Sequence, residues 1–369
     1  MIRILHMIGS LNIGGSQAMI MNLYRNIDRE KIQFDFILDH PEQLYFADEV
    51  RKLGGKIYFM PTFNGKNIFQ VKRAWNSFFE EHTEYRILHS HVRSYASLYL
   101  PIAKKHGLYT IIHSHSTANG KGLSSLVKSF LQYPLRYQAD YFMACSDNAG
   151  RWLFGDKVVD GENYLMLPNA IDSDAYNYSD CVRIKMRESL NIDDNFVVGH
   201  VGRFTEPKNH SFLIEAFEEV LKIIPSSKLL LVGDGELRPE IEHRIVEKNI
   251  VDKVIITGNK SNTSDYYQAM DVFVFPSLWE GLGIVAIEAQ ASGLHCIVSE
   301  RIPKEIDLGA GLVDVLSLDL GPKAWAEKIA SINCEKRRGR KDAIVAAGYD
   351  VKANAEKLTD FYVNTSAQL

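Results

Sequence analysis

The sequence predicts an α/β protein built from two doubly wound domains. Short runs of β-branched and aromatic residues alternate with longer segments whose apolar residues recur at three- and four-residue steps. This alternation predicts parallel sheets with helices on both faces. The pattern restarts after about Asn177, and a chain of 369 residues is long enough for two domains of ordinary size.

Eleven segments are predicted to be strands, six before the restart and five after it. The first six are IRILHMI, FDFIL, KIYFM, RILHSH, YTIIHSH and DYFMACS. The other five are FVVGHVG, KLLLVG, KVIITG, DVFVFPS and HCIVS. The helical pattern VKANAEKLTDFY follows them without a partner strand, and we expect it to pack back on the first domain.

The predicted joint is LPNAIDSDAYNYSDC, because Pro, Asn, Asp and Ser are concentrated in it. We therefore place an N-terminal acceptor-binding domain at 1–175, a C-terminal donor-binding domain at 176–350, and a C-terminal helix and tail at 351–369. Ligands of open parallel sheets bind beyond the carboxyl ends of the strands. We expect the two domains to face a central cleft at those ends.

Composition narrows the class of protein. The chain is 46% hydrophobic and 24% charged, as in folded globular proteins. Its 42 basic and 46 acidic residues give a net charge of −4, so we expect no nucleic-acid partner. The four cysteines lack paired spacing, which favours a reducing compartment over a disulfide framework. We see no secretory signal and no apolar run of about 18 residues, so we expect a cytoplasmic location.

Positions 85–139 contain no acidic residue but seven Lys or Arg residues. Such a block attracts an anionic surface or substrate, unless acids from elsewhere in the fold neutralise it. Within it, the stretch 121–138 has apolar residues at helical steps and Ser, Lys and Gln opposite them. A basic amphipathic helix of this kind can lie on an anionic membrane, and the alternative is a packed helix of the first domain. The apolar residues are Leu123, Leu126, Val127, Phe130 and Leu131.

The first candidate site is the glycine loop GSLNIGGSQ after the first strand. Gly14 and Gly15 make the loop flexible, and Ser16 could cap the helix that follows. A glycine loop at a helix N-terminus is a natural anion site. The alternatives are a simple tight turn and a dinucleotide site, although the glycine spacing differs from G-x-G-x-x-G.

Two HSH triplets end neighbouring predicted strands and supply His89, His91, His113 and His115. Residues two apart in a strand share a face, so the four imidazoles could converge on a metal ion. Because no acidic or cysteine ligand accompanies them, we expect a single histidine to contact substrate and no metal to bind. The alternative is that histidines at strand ends are satisfied by backbone hydrogen bonds.

Two further loops carry charged residues directly after strands. In GHVGRFTEPKNH, Arg203 and Lys208 suit a diphosphate, as a guanidinium fork and an ammonium point charge. In SLWEGLGIVAIEAQASG, Glu280 lies in the loop and Glu288 in the helix. The intervening glycines free backbone amides to face a ligand at the helix start. Carboxylates accept hydrogen bonds from hydroxyl groups, so both glutamates are expected to bind sugar hydroxyls.

These residues resemble the retaining glycosyltransferases of family 4, which have the GT-B fold. PSLWEGLGIVAIEAQASG resembles the family's Glu-x7-Glu signature, and GRFTEPKN resembles its diphosphate clamp. LPNAID resembles its domain-joining loop, and IGGSQ its glycine loop. The match runs over nearly the whole chain, with one departure: the family's Gly-x-Pro after the signature helix is here Gly293-Leu294-His295.

The resemblance implies a reaction. A hexose or N-acetylhexosamine would move, with retention and without a metal or other cofactor, from a nucleotide-sugar, most simply a UDP-sugar. SERIPKEIDLG is similar to members that build capsular or exopolysaccharide chains. The implied acceptor is a polyprenyl-diphosphate-linked oligosaccharide. Such an acceptor would bring the protein to the inner face of the plasma membrane.

The resemblance also implies residue roles. Arg203 and Lys208 would hold the diphosphate, Glu288 the ribose hydroxyls, and Glu280 the donor sugar. The backbone of Gly281, Leu282 and Gly283 would lie beside that sugar, and Gly15 would approach the phosphates. His115 would lie near the reacting carbon, with His113 as the competing choice.

Other interpretations of the sequence stay open. A non-hydrolysing nucleotide-sugar epimerase of the same fold would bind the donor without an acceptor, and a non-catalytic module would bind it without turnover. The Asp-x-Asp of Asp172 and Asp174 is expected to be part of the joint rather than a metal site. The run KRRGRK at 336–341 is expected to be a solvated helix face.

Overall fold

A computed structural model of the protein describes residues 1–12, 14–42, 44–115, 129–333 and 337–369. The chain forms two compact units. Unit 1 consists of residues 1–170 together with 351–369, and unit 2 of residues 171–350. Each unit contains one parallel sheet with helices around it, which confirms the predicted doubly wound α/β class.

The sheet of unit 1 has seven parallel strands in the order β3-β2-β1-β4-β5-β6-β7. The order reverses at β1, as in doubly wound folds. The strands are β1 Ile2–Met7, β2 Ile32–Leu38, β3 Ile57–Phe59, β4 Ile87–Ser90, β5 Tyr109–Ser114, β6 Tyr141–Ala144 and β7 Tyr164–Met166.

Helices of unit 1 cover the sheet because its strands are apolar on both sides. Ile4 and Leu5 point to opposite faces, and each belongs to a separate buried cluster. The helices described before residue 170 are α1 Gly15–Asn26, α2 Ala47–Lys52, α3 Ile68–Glu81, α4 Ala96–Lys105, α5 Leu135–Gln138, α6 Asp147–Phe154 and α7 Asp156–Val159. Residues 121–128 of the predicted amphipathic helix lie outside the described residues.

The sheet of unit 2 has six parallel strands in the order β10-β9-β8-β11-β12-β13. The strands are β8 Val197–Val201, β9 Lys228–Val232, β10 Val254–Ile256, β11 Val272–Phe275, β12 His295–Ser299 and β13 Val313–Leu316. The helices are α8 Asp180–Leu190, α9 His210–Ile223, α10 Arg238–Glu247, α11 Thr263–Ala269, α12 Ile284–Ala291, α13 Gly321–Ala330 and α14 Lys341–Ala346. The sequence order reverses at β8, so the loops after β8 and β11 are neighbours at the switch point.

Helix α15, Val351–Gln368, returns the chain to unit 1, as the sequence predicted. Its buried residues recur at three- and four-residue steps, which gives the helix one inward stripe. Leu358 and Tyr362 on that stripe belong to the same buried cluster as Ile4 of β1. Among the residues described, none of the helices has the length and apolar character needed to cross a membrane.

Candidate functional site

The loop between β8 and α9 carries Arg203 and Lys208. A short 3-10 helix, Glu206–Lys208, follows the strand, and Pro207 at its start fixes the backbone dihedral φ there. Asn209 then adopts a left-handed conformation, with φ of 55°, before α9 begins at His210. Asparagine tolerates this conformation better than most residues. The turn therefore holds Lys208 just ahead of a helix N-terminus.

The loop between β11 and α12 carries Glu280 and ends at a glycine that the backbone requires. Gly283 has φ of 88°, and a Cβ there would lie 3.1 Å from Phe275 Cε1. Gly281, by contrast, has no atom within 4 Å of where a Cβ would stand. Helix α12 starts directly after Gly283, so its first backbone amides lie beside Glu280 along the chain.

An ion pair joins the two loops. Lys208 Nζ donates to Glu280 Oε1 at 2.7 Å, and the two side chains are 17% and 12% exposed. The same ammonium lies 4.8 Å from the centroid of the Phe275 ring, within cation–π range. The structure therefore brings together two of the residues that the sequence singled out from separate motifs.

Two further hydrogen bonds fix the loops to one another. The amide of Leu278 donates to the Pro207 carbonyl at 2.8 Å. The side-chain amide of Asn209 donates to the Pro276 carbonyl at 3.1 Å. Because both bonds flank the ion pair, Lys208 and Glu280 are held in place by the backbone as well as by their own charges.

Arg203 lies on the same loop as Lys208 but pairs with a different carboxylate. Its side chain is 74% exposed, and Nη2 lies 3.3 Å from Glu236 Oε2. Glu236 follows β9 in the stretch GDGE, which the sequence reasoning overlooked. Gly235 of that stretch lies so close to the preceding loop that a Cβ would be 2.4 Å from the Phe204 carbonyl oxygen. The signal available in the sequence was a pair of glycines directly after a strand.

Glu288 lies one turn into α12 and has a partner within the protein. The hydroxyl of Tyr267 donates to Glu288 Oε2 at 2.8 Å. Burial raises the pKa of Glu288 to about 7, although hydrogen bonds from Tyr267 and Tyr176 and the charge of Lys208 oppose this. The carboxyl therefore changes protonation near neutral pH. The sequence had predicted sugar hydroxyls as partners for Glu288, and the structure supplies tyrosine hydroxyls.

Gly15 is the first residue of α1 in unit 1. A Cβ at Gly15 would have no neighbour within 4 Å, so the site is open on that side. The predicted cap at Ser16 is wrong: Gly14 is the N-cap residue without a side-chain cap, because the helix starts one residue earlier. Ser16 instead lies inside the helix, and its hydroxyl donates to Gln17 Oε1 at 3.0 Å.

The two HSH triplets do converge, and His6 of β1 joins them. His91 Nδ1 lies 2.8 Å from His115 Nε2, and His91 Nε2 lies 3.0 Å from His6 Nδ1. His89 Nε2 lies 3.3 Å from His113 Nδ1. His113 is fully buried, whereas His115 is partly exposed, which favours His115 as the residue that a ligand can reach.

Both carboxylates of the Asp-x-Asp in the joint have partners within the protein. Asp172 Oδ1 accepts a hydrogen bond from the amide of Asp174 at 3.1 Å, and the Asp174 carboxylate pairs with Lys341. This arrangement is a side-chain turn at the start of unit 2.

Comparison with known proteins identifies the relatives of this chain. The family model described as "Glycosyltransferase Family 4" matches residues 13–175, and that described as "Glycosyl transferases group 1" matches residues 182–338. EpsF of Bacillus subtilis strain 168, which carries the name of a glycosyltransferase, is 33% identical over 98% of this chain and 96% of its own.

Two further comparisons agree with these matches. An Escherichia coli protein named UDP-Gal:alpha-D-GlcNAc-diphosphoundecaprenol alpha-1,3-galactosyltransferase is 24% identical over 95% of this chain and 94% of its own. The crystal structure of Anabaena HepE in complex with UDP superposes with a TM-score of 0.73 at 15% identity, covering all of both chains. HepE has also been crystallised with UDP-glucose. At this identity the likeness concerns the fold.

Proposed function

The chain belongs to glycosyltransferase family 4, and from this premise we propose the reaction that it catalyses. A hexose or N-acetylhexosamine moves from a UDP-sugar to a polyprenyl-diphosphate-linked oligosaccharide of a capsule or exopolysaccharide. The Escherichia coli relative supports this proposal, since its name gives a UDP-sugar donor and a diphosphoundecaprenol acceptor. The binding of UDP-glucose by HepE, which shares the fold, supports the same donor class.

The observation that carries the proposal is the Lys208–Glu280 ion pair at the start of α12. The pair places one cation and one carboxylate at the carboxyl ends of β8 and β11, where parallel sheets bind their ligands. A diphosphate can take the ammonium from Glu280 and leave that carboxylate to accept hydrogen bonds from sugar hydroxyls. The α12 amides then face the same ligand.

The remaining roles follow the family resemblance. Arg203 is exposed enough to swing from Glu236 to the diphosphate, and Glu288 accepts hydrogen bonds from the ribose hydroxyls. The backbone of residues 281–283 lies beside the donor sugar. In unit 1, Gly15 approaches the phosphates, and His115 lies near the reacting carbon.

The proposed chemistry needs no metal or other cofactor. The bond between the anomeric carbon and the diphosphate oxygen breaks. The acceptor hydroxyl attacks from the same face and passes its proton to that oxygen, which gives retention. The departing diphosphate gains negative charge, which Lys208, Arg203 and the α12 amides stabilise. Fixed donors of this kind are commonly the largest single contribution to catalysis.

A lipid-linked acceptor places the enzyme at the inner surface of the plasma membrane. Three aromatic residues near the described end of the 121–138 stretch support this proposal, because they are exposed: Phe130 by 81%, Tyr133 by 58% and Tyr137 by 74%. The hydroxyls of Tyr133 and Tyr137 give these two rings a polar end, which suits a membrane interface, and the Phe130 ring adds apolar area.

A panel of nucleotide-sugars tests the donor and the metal independence together. The purified full chain is incubated with each nucleotide-sugar in the presence of EDTA, and the melting temperature and the release of nucleoside diphosphate are followed. We expect one UDP-sugar to raise the melting temperature and to release UDP slowly. A chain that responds to no nucleotide-sugar, or responds only after a divalent metal is restored, contradicts the proposal.

Lys208→Ala tests the residue that carries the proposal. Turnover should fall on the order of 100-fold, because a fixed cation at the leaving diphosphate is lost. The matched control is Lys222→Ala on α9, whose side chain is 62% exposed and pairs with Glu219. Glu288→Ala should separately weaken donor binding in calorimetry. Wild-type turnover in the Lys208 variant would show that the ion pair has no catalytic role.

A further inference from the structure

Five histidines lie on one face of the unit 1 sheet because of strand register. His6 is the partner of His89 across β1 and β4, and His89 is the partner of Ile111 across β4 and β5. Residues two apart in a strand point to the same face. His91 therefore follows His89 on that face, and His113 and His115 follow Ile111. The face is the one covered by α15, since Tyr362 of that helix lies 2.6 Å from His89 Nδ1.

The imidazole nitrogens lie close enough together to converge on one metal ion. One nitrogen from each of His91, His113 and His115 lies within 4.8 Å of the other two, and the same holds for His6, His89 and His91. Ligands in a tetrahedral zinc site, with Zn–N of about 2.0–2.1 Å, stand roughly 3.3 Å apart. The contact between His91 and His115, at 2.8 Å, needs to open by only about half an ångström to reach that spacing.

Hydrogen bonding within the cluster leaves buried nitrogens unused. A neutral imidazole has one donor and one acceptor nitrogen, and His91 uses both of them, toward His6 and His115. His6 Nε2, His113 Nε2 and His115 Nδ1 are buried without a hydrogen-bond partner among the residues that the structure describes. Buried polar atoms are seldom left unpaired without a reason such as an absent ligand.

The side chains of the cluster determine which metal ions suit it. In the described ranges, both groups of three consist of histidines alone. An all-imidazole set suits zinc, copper, nickel or cobalt and not magnesium or calcium.

We propose that His91, His113 and His115 form a binding site for a zinc-class divalent ion, with a fourth position open to water. This triad is preferred to the other because His91 and His115 are partly exposed, which gives the ion a way in, whereas His6 and His89 are 1% exposed. Three histidines and one open position are a common arrangement for zinc. The site lies in unit 1 and shares His115 with the proposed transfer reaction, which itself uses no metal.

The two inner histidines hold the ligands in place. His6 Nδ1 faces His91 Nε2, so the ion would bind at His91 Nδ1, where it would replace the contact with His115 Nε2. His89 faces His113 Nδ1 in the same way, and the Tyr362 hydroxyl holds His89 in turn. Outer partners of this kind fix the tautomer and orientation of a metal-binding imidazole.

Cobalt titration of the metal-free, untagged full chain tests the site without any donor present. We expect one Co²⁺ per chain, with the visible absorption of a nitrogen-ligated ion, and its displacement by one equivalent of Zn²⁺. His91→Asn and His115→Asn should each weaken Zn²⁺ binding on the order of 100-fold. His243→Asn on α10 is the control, because His243 is 71% exposed and remote from the cluster in sequence. Circular dichroism of the metal-free variants establishes that they are folded.

Protection from chemical modification provides a second measurement that needs no variant. Zn²⁺ should protect His91 and His115 of the wild-type chain from diethyl pyrocarbonate, with mass spectrometry identifying the modified residues, and should leave His243 reactive. Absence of Co²⁺ or Zn²⁺ binding to the wild-type chain, or an equal loss in the His243 variant, overturns the proposal. The five histidines are then a metal-free hydrogen-bonded network. Neither result depends on whether the nucleotide-sugar assay succeeds.

Discussion

At the scale of single residues, Glu288 is a titratable carboxyl group in an otherwise apolar helix. The other residues of α12 are Ile, Val, Ala and Gln, so the carboxyl loses most of its hydration on folding. Hydrogen bonds from Tyr267 and Tyr176 compensate for part of the lost hydration, but the pKa of Glu288 still rises to about 7. Protonation of Glu288 is therefore coupled to the stability of unit 2.

Glu288→Gln should change how stability depends on pH. Because the folded-state pKa of about 7 lies above the ordinary value of 4.5, the contribution of Glu288 to the free energy of unfolding is full below pH 4.5. That contribution is lost as the pH rises through 7. Between pH 5 and pH 8 the loss is about 2–3 kcal/mol, and the variant should lack it.

Urea unfolding of the wild type and the variant across that pH range measures the difference between them. The control is Glu327→Gln, which alters an exposed carboxylate on α13. If Glu288→Gln and the wild type lose stability in parallel as the pH rises, the raised pKa is not coupled to folding.

The sequence indicated which residues carry charge at the site but not all of their partners. Lys208 and Glu280 could be assigned to neighbouring loops, because strands on either side of a switch point end side by side. Tyr267 could not be assigned to Glu288, since that contact depends on how α11 packs against α12. His6 could have been found by the register argument, because β1 and β4 are neighbours in doubly wound sheets.

At the scale of elements, the loop from β11 to α12 contains two glycines whose backbone conformations differ. Gly283 needs a positive φ and close contact with Phe275, whereas Gly281 meets neither condition. Gly283→Ala should lower the free energy of unfolding by about 1–3 kcal/mol, because alanine is strained in that conformation. Gly281→Ala is the matched control and should stay within about 0.5 kcal/mol of the wild type. Equal effects of the two substitutions in urea unfolding would contradict this assignment.

Elements that the sequence missed lie at sheet edges. The strands β7 and β13 are only three and four residues long, and each is the last strand of its sheet. The apolar run in NYLML is short and ends at Pro168, and Asp314 interrupts the run in LVDVL, so neither stretch was assigned as a strand. Only the pairing of β7 with β6 and of β13 with β12 in the structure identifies them as strands.

The prediction of a helix face at KRRGRK is also wrong for residues 337–340, although Lys341 is the first residue of α14. Arg337 does not lie in a helix, and its guanidinium donates to backbone carbonyls of unit 2, including Ser292 and Met270, both at 2.7 Å. A fork of five donors can satisfy several carbonyls at once. A run of basic residues gives no sign of such a role, because the carbonyls come from distant elements.

At the scale of the whole molecule, α15 completes a core that begins with β1. Leu358 is 1% exposed within the cluster that contains Ile4. Leu358→Ala should therefore lower the free energy of unfolding by about 2–5 kcal/mol, through lost burial and the cavity left behind. Amide hydrogen exchange should show the loss in β1 and β2.

Leu320→Ala is the control for that substitution, because Leu320 is 60% exposed and should cost less than about 0.5 kcal/mol. Equal stability of the two variants would mean that α15 does not contribute to the core of unit 1.

Charge at this scale is less one-sided than the sequence implied. The block 85–139 has seven basic residues, but Lys104 Nζ lies 2.6 Å from Asp140, which is just outside it. Arg93 lies over the Trp152 ring at 4.8 Å. Asp140 therefore neutralises part of the positive charge of the block, as the alternative of acids from elsewhere in the fold anticipated.

The return of α15 to unit 1 has a consequence for synthesis on the ribosome. Residues 171–350 emerge as one uninterrupted segment that contains everything unit 2 requires. The first 170 residues emerge earlier, yet one apolar face of their sheet stays partly uncovered until residues 351–369 have been translated. The unit that is made first is thus the last to be finished. During translation its uncovered face is the part of the nascent chain most in need of a chaperone.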